Sequence, residues 1–159
     1  VKINDAAKDN LIFSEKITYF IDEEKFYSED NTEAVIEQKY SFLSKNVYLD
    51  RNLMELSSKE RTLIKDNNFN RYELKEFKYF YDKKLLKGID IKIITNENKK
   101  KSDIFFFKEA FVDFLNNKFI SKNTEILLHK NLLDGERNLE INKTSKFIGR
   151  NDKRIYSVS

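Results

Sequence analysis

The sequence predicts an all-β chain of short, linked antiparallel strands, arranged as a sandwich, jelly roll or β-solenoid. Three observations carry that expectation. Apolar and polar residues alternate over short runs, most clearly in Ile89-Asp-Ile91-Lys-Ile93, which is the period of a half-buried strand. The runs stop at Asn, Asp and Ser, residues that end or bend strands because they tolerate a left-handed backbone and bond locally. One phrase also returns at an interval of roughly thirty residues, the self-similarity of a repeating architecture.

The first unit runs through Ser14-Glu-Lys-Ile17-Thr-Tyr19-Phe-Ile21, turns at Asp22-Glu23-Glu24 and continues as Lys25-Phe26-Tyr-Ser28-Glu-Asp-Asn31-Thr32. Residues 40–65 are the most regular stretch. There Tyr40-Ser-Phe42-Leu-Ser44 leads through a corner at Lys45-Asn46 into Val47-Tyr-Leu49, which stops at Asp50-Arg-Asn52. A new strand is expected from Leu53-Met-Glu-Leu56, with Ser57-Ser58-Lys59-Glu60 separating it from Thr62-Leu63-Ile64. The unit returns as Leu74-Lys-Glu-Phe77-Lys-Tyr79-Phe-Tyr81, turning at Asp82-Lys83-Lys84 into Leu85-Leu86, and again from Lys108 to Thr124. An aromatic residue, any residue and Ser, followed by Asn and a β-branched residue, recurs in FYSEDNT (26–32), FLSKNV (42–47) and FISKNT (119–124). The β-branched residue after the corner suits a new strand.

Two segments are ambiguous. Phe107, Phe111, Phe114, Leu115 and Phe119 stand at helical spacing, yet the turn pair Asn116-Asn117 and the repeat favour a hairpin, and strand is expected. Residues 33–39 carry a weaker form of the same conflict. Residues 96–101 (NENKKK) read as a charged loop and Ile104-Phe-Phe-Phe107 as a strand apolar on both faces. From Asn131 the alternation fades into a polar stretch with Gly135 and Gly149, expected as a long loop or weakly ordered segment before a last strand at 155–158.

At 159 residues the chain is expected to be one domain, 1–159, with the repeats over about 11–130. Thirty basic against 27 acidic residues leave a net charge of only +3, with both signs interspersed, which does not argue for nucleic acid. Cysteine is absent, so thiolate metal sites and disulfides are excluded. No run approaches the ~18 apolar residues of a membrane helix. The chain begins in mid-phrase, and residues 131–159 are expected to lead into a further C-terminal part of a longer protein.

If each strand alternates, one face collects Ile17 and Tyr19; Phe42, Val47 and Leu49; Leu56; and Phe77, Tyr79 and Tyr81. Ile89, Ile91 and Ile93, then Phe105, Phe107, Val112 and Phe114, and finally Ile126 and Leu128 join them. Enzyme motifs are wanting: there is no nucleophile elbow, phosphate loop or dinucleotide fingerprint. The single histidine, His129, has no neighbouring ligand in sequence. No catalytic residue, metal or cofactor is expected.

The corners Lys45-Asn46-Val47 and Lys122-Asn123-Thr124, with the strand starts Glu15-Lys16-Ile17-Thr18-Tyr19 and Lys75-Glu76-Phe77-Lys78-Tyr79, resemble the OstA-like lipopolysaccharide-transport family (LptA, LptC and LptD). The likeness runs over about residues 11–130 and is greatest to the N-terminal periplasmic domain of the LPS-assembly protein LptD. Lysine stands where the family's corner has glycine. The resemblance implies a partly open twisted jelly roll (a β-taco) in the periplasm, attached to the outer membrane as part of a longer protein. It implies that the apolar face binds the acyl chains of lipopolysaccharide (lipid A) without catalysis. Its implied partners are other bridge proteins of the same fold, joined by edge-strand pairing, and an outer-membrane barrel with its lipoprotein plug.

Two other readings start from the same residues. A closed, filled core would make the chain a structural or adhesion segment. Exposed Tyr and Phe among lysines could instead stack on single-stranded nucleic acid. The run Lys99-Lys100-Lys101 could meet phosphate, although a solvated hairpin loop is the plainer expectation.

Overall fold

The computed structural model describes residues 1–5, 9–97, 102–116, 118–132, 135–150 and 155–158, with side chains described as far as Ser121, Asp5 aside. The chain is all-β. Its strands are β1 (Lys2–Asp5), β2 (Asn10–Phe20), β3 (Lys25–Ile36), β4 (Tyr40–Asp50), β5 (Glu55–Ser58), β6 (Thr62–Asp66) and β7 (Arg71–Leu74). They continue as β8 (Glu76–Phe80), β9 (Leu85–Ile94), β10 (Ile104–Asp113), β11 (Lys118–Leu132), β12 (Gly135–Arg150) and β13 (Ile155–Val158). A 3₁₀ turn, Ile21–Glu23, joins β2 to β3.

These thirteen strands belong to one antiparallel sheet in the order β1-β2-β3-β4-β5-β8-β9-β10-β11-β12-β13, with β6 and β7 lying between β4 and β9 alongside β5 and β8. The first half of β4 pairs with β6, from Tyr40↔Asp66 to Leu43↔Leu63, and its second half with β5, from Tyr48↔Ser57 to Asp50↔Glu55. β5 and β6 thus act as one strand interrupted at 59–61. β7 and β8 act as another, interrupted at Lys75, since β7 pairs with β6 and β8 with β5.

β2, β3, β4, β9 and β10 each break their regular pairing or alternation near the middle, and the breaks line up. Asp30, Asn46 and Asp90 take left-handed backbone at φ 57°, 49° and 49°, and the ladder shifts register between Ser14 and Lys16 and between Ser28 and Asn31. Bulges of this kind kink a strand and re-aim its side chains. Aligned across the sheet, they form a crease that folds it into two facing leaves. The repeat is visible in the turns on the second leaf, where Glu24, Met54 and Lys84, thirty residues apart, share φ values of 53°, 51° and 52°. At the corner Lys45-Asn46-Val47 the left-handed residue is Asn46. Lys45 is not among the left-handed residues, so the corner needs no glycine there.

Beside the crease, inward positions recur with the same period: Ser14, Ser44 and Leu74 on one side, Ser28, Ser58 and Gly88 on the other. In the first two units these are buried hydroxyls, which answer the carbonyls that the bends leave unpaired. Ser14 Oγ donates to the Glu29 carbonyl at 3.0 Å, Thr32 to that of Asp30 at 3.1 Å and Thr62 to that of Glu60 at 2.9 Å. Ser58 donates to the Lys45 carbonyl, and Ser44 bonds Thr62 at 2.7 Å. In the third unit the crease turns apolar. A Cβ on Gly88 would lie 2.3 Å from Leu74 Cδ2 and 2.6 Å from Ile91 Cδ1, so the missing side chain is what lets Leu74 cross the fold.

Several expectations need correction. Leu53 and Met54 form the turn, β5 begins at Glu55, and Ser57 and Ser58 are strand residues, with the break one step later at 59–61. Residues 135–150, expected as loop, form the strand β12, which pairs with β11 along its length. The ambiguous aromatic segment is strand: β10 buries Phe105, Phe107 and Val112 and leaves Phe111 on the outer face. Glu33 to Ile36 belong to β3 as well. The run Lys99-Lys100-Lys101 lies outside the described residues.

Candidate ligand-binding interior

The inward residues stand in rows because the register is regular. One row on the first leaf is Ile12, Ala34, Phe42, Ile64, Tyr72, Ile93 and Phe105. A matching row on the second leaf is Tyr19, Phe26, Leu49, Leu56, Tyr79, Leu86, Val112 and Phe119. The two rows face each other, as the leaves of a sandwich do.

The structure brings most of the expected apolar face together in one core. Phe42, Val47, Leu49, Leu56, Phe77, Tyr79, Tyr81, Ile91, Ile93, Phe105, Phe107, Val112 and Phe114 are all buried. Ile89 is not on that face. It pairs with Glu76 and Glu109 on the outer side, because left-handed Asp90 adds one residue to the alternation between Gly88 and Ile91. Ile126 and Leu128 lie on the backbone of β11, but their side chains, like that of His129, are outside the described residues.

Between β4 and β10 the interior is filled by aromatic rings. Phe42 packs on Phe77 and Tyr79 with ring centres 5.4 and 5.3 Å apart. Phe114 stacks on Tyr40 at 4.3 Å and meets Tyr72 edge-on at 5.7 Å. At the β2 end the inward residues of the second leaf are less covered, although Ile12, Ala34, Val47 and Leu49 beside them are buried. Val1 and β1 cover β2 as far as Ser14, so among the described residues the second half of β2 is an unpaired edge of the second leaf. Ile17 there is half-buried, and inward-facing Tyr19 is 40% exposed although its ring stacks on Phe26 at 4.3 Å. A hollow of about 690 Å³ lies beside the crease, lined by the outward residues Phe13, Leu43 and Arg61 and by Ser14, Thr32 and Ser44.

Burial dominates the electrostatics inside. It pushes the Tyr40 phenol up to about 12, with the Asp66 and Glu37 carboxylates adding to the effect. Burial likewise raises Tyr79, with Glu37 and Tyr40 as smaller contributors. Tyr72 donates to Asp66 Oδ2 at 3.2 Å, whereas the Tyr79 hydroxyl has no hydrogen-bond partner among the described residues. Among the described residues no cluster of His, Asp or Glu could hold a metal. The interior offers apolar contact, a few phenol groups and a partly exposed apolar edge at β2.

The aromatic-x-Ser phrase marked the corners after Ser28 and Ser44, where Asp30 and Asn46 are left-handed, but the hydroxyl pairing across the crease was not foreseen. The regular recurrence of Ser14, Ser28, Ser44 and Ser58 was its signal. No family model matches the chain, and neither does any curated protein.

Proposed function

We propose that this chain is a non-enzymatic module that takes lipopolysaccharide acyl chains into the apolar interior of its folded sheet and passes them towards the outer membrane. The observation that carries the reading is the apolar row that continues to the edge at β2, where Ile17, Tyr19 and Phe26 stay partly accessible. The resemblance of the corner and strand-start motifs to the OstA-like family supports it. Each CH₂ buried there would contribute about 0.8 kcal/mol, and contact of that kind is non-directional, so chains can be held and still slide.

The bare half of β2 also supports strand addition by a bridge protein of the same fold, since unpaired edge donors and acceptors invite a partner strand. Periplasmic placement and delivery to an outer-membrane barrel with its lipoprotein plug belong to the same proposal. A second reading, a structural segment with a closed core, draws on the aromatic filling between β4 and β10. A photoactivatable fatty acid separates the two. Labelling of peptides carrying Tyr19 and Phe26, competed by lipid A, is the expected result; a chain that takes no label at any position overturns the lipid reading and leaves the structural one.

A further inference from the structure

At the rim opposite the crease the two leaves are joined by a clasp and a plug. Lys84, in the turn after β8 on the second leaf, places Nζ 2.9 Å from Glu37 Oε1 in the turn after β3 on the first. Phe114 sits beside this pair. It stands in a turn whose next residue, Leu115, is 64% exposed, yet Phe114 itself is only 6% exposed because it points between the leaves onto Tyr40, Tyr72 and Tyr79. Clasp and plug are bonded to each other: the Phe114 N–H donates to the carbonyl of Lys84 at 3.0 Å, and the Asp113 carboxylate ties the same turn through Leu115 and Asn116. A recess of about 350 Å³ lies just outside, lined by Glu37, Tyr40, Asp66, Lys84 and Phe114 among others.

Just behind the plug is the Tyr79 hydroxyl, on a residue 0% exposed and without a hydrogen-bond partner among the described residues. A buried donor left unpaired is costly, and an oxygen brought to it recovers that cost. A part-exposed ion pair adds little to hold the rim shut. Phe114 rides on a turn, not on a strand of the sheet, so it can swing out while the crease and ladders stay intact.

We propose that this seam is a side entrance to the interior, and that the Tyr79 hydroxyl anchors a hydroxyl or carbonyl oxygen of an acyl-chain amphiphile admitted through it. The inference rests on the acyl-chain reading above and adds a route and a polar contact to it.

The chain has no cysteine, so a Glu37→Cys/Lys84→Cys pair can be bridged specifically with a reducible bis-maleimide. Uptake of a fluorescent fatty acid should slow at least tenfold on bridging and recover on reduction. Equal rates in both states overturn the entrance. Lys84→Glu, which sets two carboxylates face to face, provides a second arm should the bridged pair fold poorly: uptake should accelerate, and an unchanged rate again overturns the entrance. For the anchor, methyl tetradecanoate and pentadecane are compared as competitors. Tyr79→Phe should reduce the preference for the ester about fivefold, the loss of one hydrogen bond, and an unchanged preference overturns the anchor. Wild-type protein that takes up no fatty acid overturns the acyl-chain reading itself, an outcome visible before any variant is made.

Discussion

Replacing Asn46 probes the crease at one corner. Asn46 holds φ at 49°, and its Oδ1 accepts the Asp30 N–H at 3.0 Å and the Tyr27 hydroxyl at 3.3 Å. Asn46→Gly keeps the left-handed backbone and removes both acceptors. Because these bonds are exposed or only partly buried, the loss should sit near the low end for hydrogen bonds, about 1 kcal/mol in total. Asn46→Ala loses the same bonds and also forces a Cβ into the left-handed region, which adds about 1 kcal/mol. For a chain of this size each kcal/mol moves the melting temperature by about 2–4 °C. Thermal unfolding followed by circular dichroism should therefore rank wild type above Asn46→Gly, and Asn46→Gly above Asn46→Ala, in roughly equal steps. An alanine variant as stable as the glycine variant would refute the argument that a left-handed residue makes this corner.

Three further outcomes follow from the same geometry. Gly88→Ala should cost about 1–3 kcal/mol in urea unfolding through overpacking against Leu74 and Ile91, and adding Leu74→Ala should restore part of the loss instead of deepening it. Ser58→Ala removes the hydroxyl that donates to the Lys45 carbonyl and accepts the Glu60 N–H at 3.0 Å; a loss of about 1–3 kcal/mol is expected, and a silent substitution would refute the role given to the crease hydroxyls. The Tyr40 phenol, raised from 10.0 to about 12, favours the folded state while it stays neutral. Stability should therefore hold below pH 10 and fall as pH rises from 10 towards 12. Tyr40→Phe should flatten that fall in urea midpoints measured across the range.

The all-β class and the thirty-residue period were legible because both rest on local signals: alternation, Asn and Ser at the bends, and recurrence of a short phrase. The aromatic segment at 107–119 shows why periodicity alone is insufficient. Its helical spacing mixes residues of two faces: the bend in β10 shifts the alternation by one, so Phe107 and Val112 both point inward while Phe111, between them, is 39% exposed. The same shift moved Ile89 to the outer face, and no pattern of apolar residues encodes it until Asp90 is known to be left-handed. The strand β12 was missed because its sequence is polar and carries glycine, whereas its partner β11 supplies the ladder. The candidate interior was largely legible as a list of residues. The clasp of Glu37 with Lys84 was not, since it joins residues 47 apart in sequence (84 − 37) that meet only once the sheet is folded.

The recurrence of Glu24, Met54 and Lys84 in one conformation has a bearing on how such a chain can change in size. One up-and-down pair of strands is a tile of about thirty residues, and at ~4.7–4.9 Å per strand it advances the sheet by about 9.5 Å. Inserting or deleting a whole tile lengthens or shortens the trough and leaves its cross-section as it was. Half a tile would exchange the ends at which the turns lie, and a single residue would turn a strand inside out. Reach and profile are thus separate variables: the profile is written once per tile, and reach is the number of tiles.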